Sequence, residues 1–169
     1  MARPVRTRAV RGVIGLLVLS SVAASPMPRV RSSNPAIAAV MAKAEASSPT
    51  FASLVRTIEG TDGIVYVERG ECRHGVRACL THSIVAGDGY RLLRILVSDV
   101  DDVMSLMATI GHELRHVVEV LTEPSVRTSA AVYNYYLRES PTMRTAFETD
   151  AAVRAGIQVA QELATLRNP

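Results

Sequence analysis

Tryptophan is absent from these 169 residues, and cysteine occurs only twice. The sequence has no glycine-rich phosphate loop, no serine-nucleophile elbow and no internal repeat. These absences argue against a P-loop nucleotide-binding protein, an α/β-hydrolase and a repeat protein. The most apolar run, residues 12–24, is shorter than the roughly 20 residues that span a bilayer as a helix.

Acidic residues are absent from residues 1–24, where four arginines precede that apolar run. Val22 and Ala24 supply the small side chains that a signal peptidase requires near its cut. We therefore predict a bacterial-type signal peptide over residues 1–24, which makes the protein secreted or periplasmic. A retained N-terminal anchor is the alternative. No cysteine directly follows the run, which excludes a bacterial lipoprotein anchor.

Without residues 1–24, the chain has 15 basic and 16 acidic residues and a net charge of −1, whereas the whole sequence has +3. This balance is not that of a protein that binds nucleic acid or an acidic membrane. We expect no nucleic-acid partner and no stable membrane span after signal cleavage. The remaining length fits one domain over residues 34–169, after a Pro/Ser/Arg-rich segment over 25–33 that we predict to be disordered.

The two cysteines, Cys72 and Cys79, have six residues between them, including Gly75. In an exported protein such a pair predicts a disulfide that closes a short loop. A zinc site formed by the same two cysteines with His74 and His82 is the alternative, although its spacing matches no common structural zinc pattern.

The order of apolar and turn-forming residues predicts an α+β fold with a small antiparallel three-stranded sheet packed on helices. The predicted strands cover residues 64–67, 78–85 and 90–97. The predicted helices cover residues 36–46, 49–59, 98–123, 126–138 and 140–166. Ser98 and Asp99 are expected to cap the third of these helices, and Ser140 with Pro141 the last.

His112, Glu113 and His116 form the pattern H-E-x-x-H within the third predicted helix. Because a helical turn takes 3.6 residues, both imidazoles lie on one face, one turn apart, where they can chelate one zinc ion. Glu113 is rotated by about 100° from His112 and can serve as the general base toward a water molecule. An amphipathic helix with two surface histidines is the alternative explanation.

A catalytic zinc site needs a third protein ligand. Glu119 and Thr122 replace the Gly and His of the metzincin pattern, and no histidine follows His116. A downstream third ligand must therefore be a carboxylate. The candidates are Glu119, Glu123, Glu139, Glu148, Asp150 and Glu162.

Glu148 is the predicted third ligand. In the last predicted helix it shares a side with Ala152 and Gly156, whose small size lets another helix come close. A carboxylate buried there requires a metal or a hydrogen-bond donor. Glu119 lies too far along its helix to share an ion with His112, so it is expected either to support a ligand or to be a surface residue. Asp150 leans toward the polar side of the last helix and is the other candidate for a supporting role.

At these residues the chain resembles the gluzincin group of zinc metallopeptidases. The resemblance covers 110–116 and, more weakly, 148–151, which is similar to the glutamate-bearing helix of those enzymes. The chain looks most like small exported bacterial proteins with an H-E-L-x-H helix and a following E-x-x-A helix. The resemblance implies a minimal zincin-like core, with Zn²⁺ held by His112, His116 and Glu148.

By this resemblance the protein would hydrolyse peptide bonds of a peptide or protein substrate, with Glu113 as general base. Tyr133, Tyr135 and Tyr136 are the nearest phenols in sequence that could donate to an oxyanion, although each could equally be a packing residue. The strand over 90–97 is expected at a sheet edge, where it could pair with an extended substrate. A catalytically silent binding or regulatory protein of the cell envelope is the alternative.

Overall fold

Five strands and five helices lie within the residues that the computed structural model describes, which are 27–72, 75–98, 102–139 and 147–167. The strands are β1 (Val30–Arg31), β2 (Gly63–Arg69), β3 (Ala78–Leu80), β4 (Val85–Gly87) and β5 (Tyr90–Val97). The helices are α1 (Pro35–Ser47), α2 (Pro49–Glu59), α3 (Val103–Thr122), α4 (Ser129–Glu139) and α5 (Asp150–Arg167). The predicted signal peptide, His74, Asp99 and the predicted cap at 140–141 lie outside the described residues. In the described part, no helix has the length and apolar character needed to cross a bilayer.

The first two helices begin where the sequence predicts them. The Asn34 side chain accepts the backbone N–H groups of residues 36 and 37, and Ser48 accepts that of Phe51. Proline occupies the first position of each helix, where its missing N–H costs no helical hydrogen bond. Both helix predictions are confirmed.

The sheet is mixed, in the order β1-β2-β5-β3, and β4 also pairs with β5. β2 runs parallel to both β1 and β5, whereas β3 and β4 run antiparallel to β5. The α+β class is therefore confirmed, but the antiparallel three-stranded sheet is wrong. The prediction that residues 90–97 form an edge strand is also wrong, because β5 is paired on both sides.

β5 occupies the centre of the sheet because its apolar side chains are covered there and its backbone groups find partners at both edges. Leu93, Ile95 and Val97 are buried. After β2 the chain crosses the end of β5 and returns as β3, and the Cys72–Cys79 disulfide closes this crossing. The disulfide prediction is confirmed, and it excludes the alternative zinc site because the two sulfurs bond to each other.

The run predicted as one strand over 78–85 is divided into β3 and β4. Leu80 lies opposite Ile95, and Val85 lies opposite Leu92. Four residues therefore separate the two paired positions on this edge, whereas only two separate them on β5. The two extra residues bulge outward from the ladder. This excursion contains His82, which is exposed.

Two predicted boundaries are corrected by backbone hydrogen bonds. Part of the segment predicted to be disordered, 25–33, is ordered, because β1 pairs with β2 and Val65 donates its N–H to the carbonyl of Arg29. α3 begins after Asp102 rather than after Ser98. The Asp102 carboxylate accepts two N–H groups of the first turn, whereas Ser98 continues the pairing of the sheet.

Arg91 connects the sheet to the C-terminal end of α3. Its guanidinium is buried on the core side of β5 and donates three hydrogen bonds to the Asp62 carboxylate. It also donates to the backbone carbonyls of Val120, Leu121, Glu123 and Val126. Because the last carbonyls of a helix lack helical partners, Arg91 satisfies groups that would otherwise be buried unpaired. Its hydrogen bonds are also the main reason that the pKa of Asp62 is lowered.

We expect Arg91→Met to lower the free energy of unfolding by roughly 3 kcal/mol, because it leaves a carboxylate and several carbonyls without their donor. Arg94→Met on the same strand is the matched control. Arg94 is half exposed and pairs with Glu68 at the surface, so its loss should cost less than about 1 kcal/mol. Urea unfolding of the two purified variants measures the difference, and equal losses would contradict the role given to Arg91.

Candidate metal centre

α3 presents both histidines to α5. The rings of His112 and His116 have centroids 4.9 Å apart, as expected for side chains one turn apart on one face. Two glycines permit the close approach of the helices. A Cβ added to Gly156 would lie 3.2 Å from the Cβ of His112, and one added to Gly111 would lie 2.9 Å from Val159.

Glu148 joins the two histidines to form a group of three donors. Its Oε2 lies 3.3 Å from Nε2 of His112. One donor atom each from His112, His116 and Glu148 lie within 4.8 Å of one another, and this is the group of metal-ligating side chains found among the described residues. A tetrahedral zinc ion with bonds of about 2.0–2.1 Å holds its donors about 3.4 Å apart. The donor types and the spacing are therefore compatible with zinc.

Glu148 is not part of a helix, which corrects the prediction of a glutamate-bearing helix. α5 begins at Asp150, and Thr149 caps it by accepting the N–H of Ala152 at 3.1 Å. Glu148 is held in the two-residue approach to that cap, after Phe147, whose φ of 46° is rare for a bulky residue. The predicted Ala/Gly face of α5 does pack inward, since Ala152 and Ala155 are buried.

The other candidate carboxylates lie elsewhere. Glu123 accepts hydrogen bonds from Ser125 just beyond α3, and Glu162 accepts hydrogen bonds from Ser48 and Thr50 at the start of α2. Asp150 and Glu139 are exposed at a helix end. The described structure therefore groups only Glu148 with the histidines as a third donor.

Glu119 holds His116 and the segment next to Glu148 at the same time. Its Oε2 lies 3.0 Å from Nδ1 of His116, which leaves Nε2 of that ring for a metal ion. Its Oε1 accepts the hydroxyl of Thr149 at 2.8 Å. Although burial raises the pKa of Glu119, the hydrogen bonds from His116 and Thr149 outweigh burial and the pKa is lowered. The prediction that Glu119 supports the ligands agrees with this geometry, whereas Asp150 makes no such contact among those described.

Glu113 is a buried carboxylate beside the three donors. Its Oε2 accepts the backbone N–H of Leu80 at 2.6 Å, and its Oε1 lies 4.0 Å from Nε2 of His112. Burial raises the pKa of Glu113, and the two histidines oppose that shift. A carboxylate with a raised pKa, held in place by one oxygen, is suited to accept and return a proton.

His112 and Glu148 stabilise each other's charged form. Burial lowers the pKa of His112, but the hydrogen bond with Glu148 and the charge of Glu113 outweigh burial and the pKa is raised. The same hydrogen bond lowers the pKa of Glu148. The three carboxylates around the two rings therefore favour a positive charge at this point, whether a proton or a metal ion supplies it.

The three tyrosines differ in position. Tyr136 is buried and donates its hydroxyl to the carbonyl of His116 at 3.1 Å, and burial raises its pKa. Tyr133 is exposed and lines the same cavity as His116. Tyr135 lies in neither cavity lining and contacts Arg138 instead. Of the three, only Tyr133 and Tyr136 line the cavity that includes His116.

Two clefts meet at the candidate metal centre. The first, which we call the aromatic cleft, has a volume of about 730 Å³ and includes His116, His82, Tyr133 and Phe147. The second, the aliphatic cleft, has a volume of about 650 Å³ and includes His112, Met104, Val153 and Ile157. Glu113 and Glu148 line both clefts. The candidate metal centre therefore lies at the junction of two openings.

Comparison with protein-family models, with curated proteins and with solved structures finds no match to this chain.

Sequence reasoning missed two groups of the site. The backbone N–H of Leu80 carries no sequence signal, since it comes from the fold of the sheet. Thr149 could have been found, because threonine followed by Asp150 is a common helix start. Placing the last helix start at 140–141 obscured that signal.

We expect Glu148→Ala to lose zinc during dialysis, because it removes one of three donors. Asp150→Ala is the matched control, two residues further on, and should retain zinc like the parent. Glu119→Ala should retain zinc with an affinity lowered by about 10–100-fold, as is typical when a residue that supports a ligand is removed. Metal analysis after dialysis, together with competition by a chelator, ranks the variants by zinc affinity. Equal retention in Glu148→Ala and the parent, with loss in another variant, would move the assignment to that residue.

Proposed function

We propose that this protein is a zinc-dependent peptidase that hydrolyses peptide bonds, with Glu113 as general base. The observation that carries the proposal is the position of Glu113, a buried carboxylate fixed beside three metal donors where two clefts meet. A purely structural metal site has no need of such a base.

His112, His116 and Glu148 would hold the zinc ion. Two histidines and a glutamate form a donor set that catalytic zinc sites use, and three protein donors leave a fourth position open. When bound, zinc polarises a carbonyl group and lowers the pKa of a water molecule toward about 7. The contact of Nδ1 of His116 with Glu119 would orient the ring and leave Nε2 to bind the metal ion.

Glu113 would take a proton from water and return it to the leaving amine. The backbone N–H of Leu80 fixes Oε2 of Glu113, and Oε1 remains on the side of His112. Because burial raises the pKa of Glu113, the carboxylate holds a proton more readily than an exposed glutamate does. Proton transfer by a positioned group of this kind contributes about 10²–10⁴-fold to the rate.

The substrate would lie along β3 rather than along β5. Two residues on this segment hydrogen-bond to the chain of β5: the N–H of Thr81 donates to the carbonyl of Arg94, and the carbonyl of Arg77 accepts the N–H of Ser98. Because the backbone groups of successive residues in a strand point to alternate edges, those of Ala78 and Leu80 point away from β5. Among the described residues, β3 and β4 form this edge of the sheet. Glu113 occupies the N–H of Leu80, so an extended peptide could pair with the backbone groups of Ala78 and with the carbonyl of Leu80.

The disulfide supports an extracytoplasmic location. Disulfides persist in oxidising compartments and are rare in the cytosol. The Cys72–Cys79 bond in the described structure and the arginine-rich, apolar N-terminus of the sequence both fit an exported protein. The proposed peptidase would thus act outside the cytoplasm.

We expect Glu113→Gln to reduce hydrolysis of a peptide library by at least about 100-fold while the zinc content stays near that of the parent, because it removes the base and no ligand. Glu45→Gln is the matched control, since Glu45 is an exposed glutamate of α1 that lies in neither cleft lining. Peptide cleavage followed by mass spectrometry, together with metal analysis, measures both quantities. If the Glu113→Gln variant is as active as the parent, the peptidase proposal is wrong. A zinc-loaded parent without any hydrolysis would favour the silent binding or regulatory protein.

A further inference from the structure

The two clefts share a wall beside the candidate metal centre. Val76 and Ala78 line both clefts, so the start of β3 runs past the junction. Leu80, His82 and Ser83 belong only to the aromatic cleft, whereas Arg77 belongs only to the aliphatic cleft. A chain that passes Glu113 along the start of β3 can therefore reach both clefts.

Aromatic rings form one wall of the aromatic cleft. The ring centroids of His82 and Phe147 are 4.8 Å apart, and those of Tyr133 and Phe147 are 5.3 Å apart, both in edge-to-face arrangements. Burial lowers the pKa of His82, which favours its uncharged form. Such a wall suits an apolar or aromatic side chain.

The aliphatic cleft is bounded by α3 and α5. Val153 and Ile157 are 41% and 52% exposed, although both are large apolar residues on a helix whose other face is packed. Met104 and Ala108 face the same cleft from α3. Apolar side chains exposed together beside a catalytic group are typical of a binding groove.

Apart from Glu113 and Glu148, neither cleft lining, as described, contains a buried charged group that could bind a peptide terminus. Apart from Glu113 and Glu148, the charged residues there are Glu71, Arg77 and Asp102, and all three are exposed. Asp102 already caps α3, and Arg77 donates to Ser105. Exposed charges bind an opposite charge weakly because water screens them.

We infer that the site takes an extended peptide segment that continues on both sides of the cleaved bond, with an apolar side chain in each cleft. The protein would then cut internal bonds of unfolded or extended chains, as an endopeptidase, rather than remove terminal residues. This inference rests on the proposed function and adds the class of substrate to it.

Peptides with and without blocked ends test the inference. The probe is an acetylated and amidated peptide of about eight residues, which spans roughly 26 Å when extended, with Phe and Leu flanking its central bond. Its unblocked twin and a twin with Glu and Lys at the flanking positions are compared with it. Hydrolysis is measured with the zinc-loaded parent, and binding by fluorescence anisotropy with zinc-loaded Glu113→Gln, which does not consume the probe.

Two exposed residues allow each cleft to be tested separately. In the Glu113→Gln background, Tyr133→Ala and Ile157→Ala should each weaken binding of the blocked Phe/Leu peptide by at least about fivefold. In the parent background, the two substitutions should alter side-chain preference on opposite sides of the cut. Val85→Ala is the control, because Val85 is 64% exposed on β4 and lies in neither cleft lining.

Binding of the blocked Phe/Leu peptide, weakened by both cleft substitutions and not by the control, supports the inference. If that peptide binds in this way but the parent does not hydrolyse it, the groove stands and the proposed function is wrong. Binding or cleavage restricted to peptides with a free terminus overturns the inference and leaves the peptidase proposal intact. Failure of all the peptides to bind, or indifference to both cleft substitutions, also overturns the inference.

Discussion

The attachment of α3 to the sheet by Arg91 positions everything else in the candidate site. His112, Glu113 and His116 all project from this helix, so their distances to β3 and to Glu148 depend on how the helix is anchored. Arg91 lies in the central strand, and its guanidinium binds the carbonyls at the C-terminal end of α3 while Asp62 balances its charge. Without this contact, the end of a long apolar helix would bury polar groups with no partner.

A second set of contacts attaches the other side of the site to α3. Glu119 accepts the hydroxyl of Thr149, and Thr149 caps α5. The same carboxylate binds His116, so the second histidine and the segment containing Glu148 are held by one side chain. Gly111 and Gly156 allow α5 to lie close enough for this arrangement. The grouping of His112, His116 and Glu148 therefore depends on helix packing and not on one sequence motif alone.

The electrostatics of the site explain why it is suited to a cation. Glu113, Glu119 and Glu148 surround two imidazoles in a partly buried space, where negative charges without compensation are costly. Part of the compensation comes from fixed donors, namely Leu80 for Glu113 and Thr149 for Glu119. The remaining negative charge is directed at the point where the histidine nitrogens and Glu148 converge.

The amphipathic period of α3 and the N-caps of α1 and α2 could be predicted from sequence, because they depend on residues within a few positions of each other. The same holds for the histidine pair. The predicted start of the last helix, at 140–141, precedes the observed start of α5 at Asp150, so Glu148 was identified for its place on a helix that it precedes. The structure does group Glu148 with the two histidines, but Glu148 does not lie on the helix from which it was chosen.

Strand order could not be read from the chain. Short turns between strands 64–67, 78–85 and 90–97 favour a meander, but β5 lies between β2 and β3 and pairs parallel with β2. The sequence by itself determined the helix that carries H-E-x-x-H, the cysteine pair and the α+β class, since these follow from local spacing and composition. Only the tertiary structure decided which strand forms the open edge, which carboxylate meets the histidines and where the clefts run. Those features depend on pairings between distant residues, and local sequence preferences do not specify such pairings.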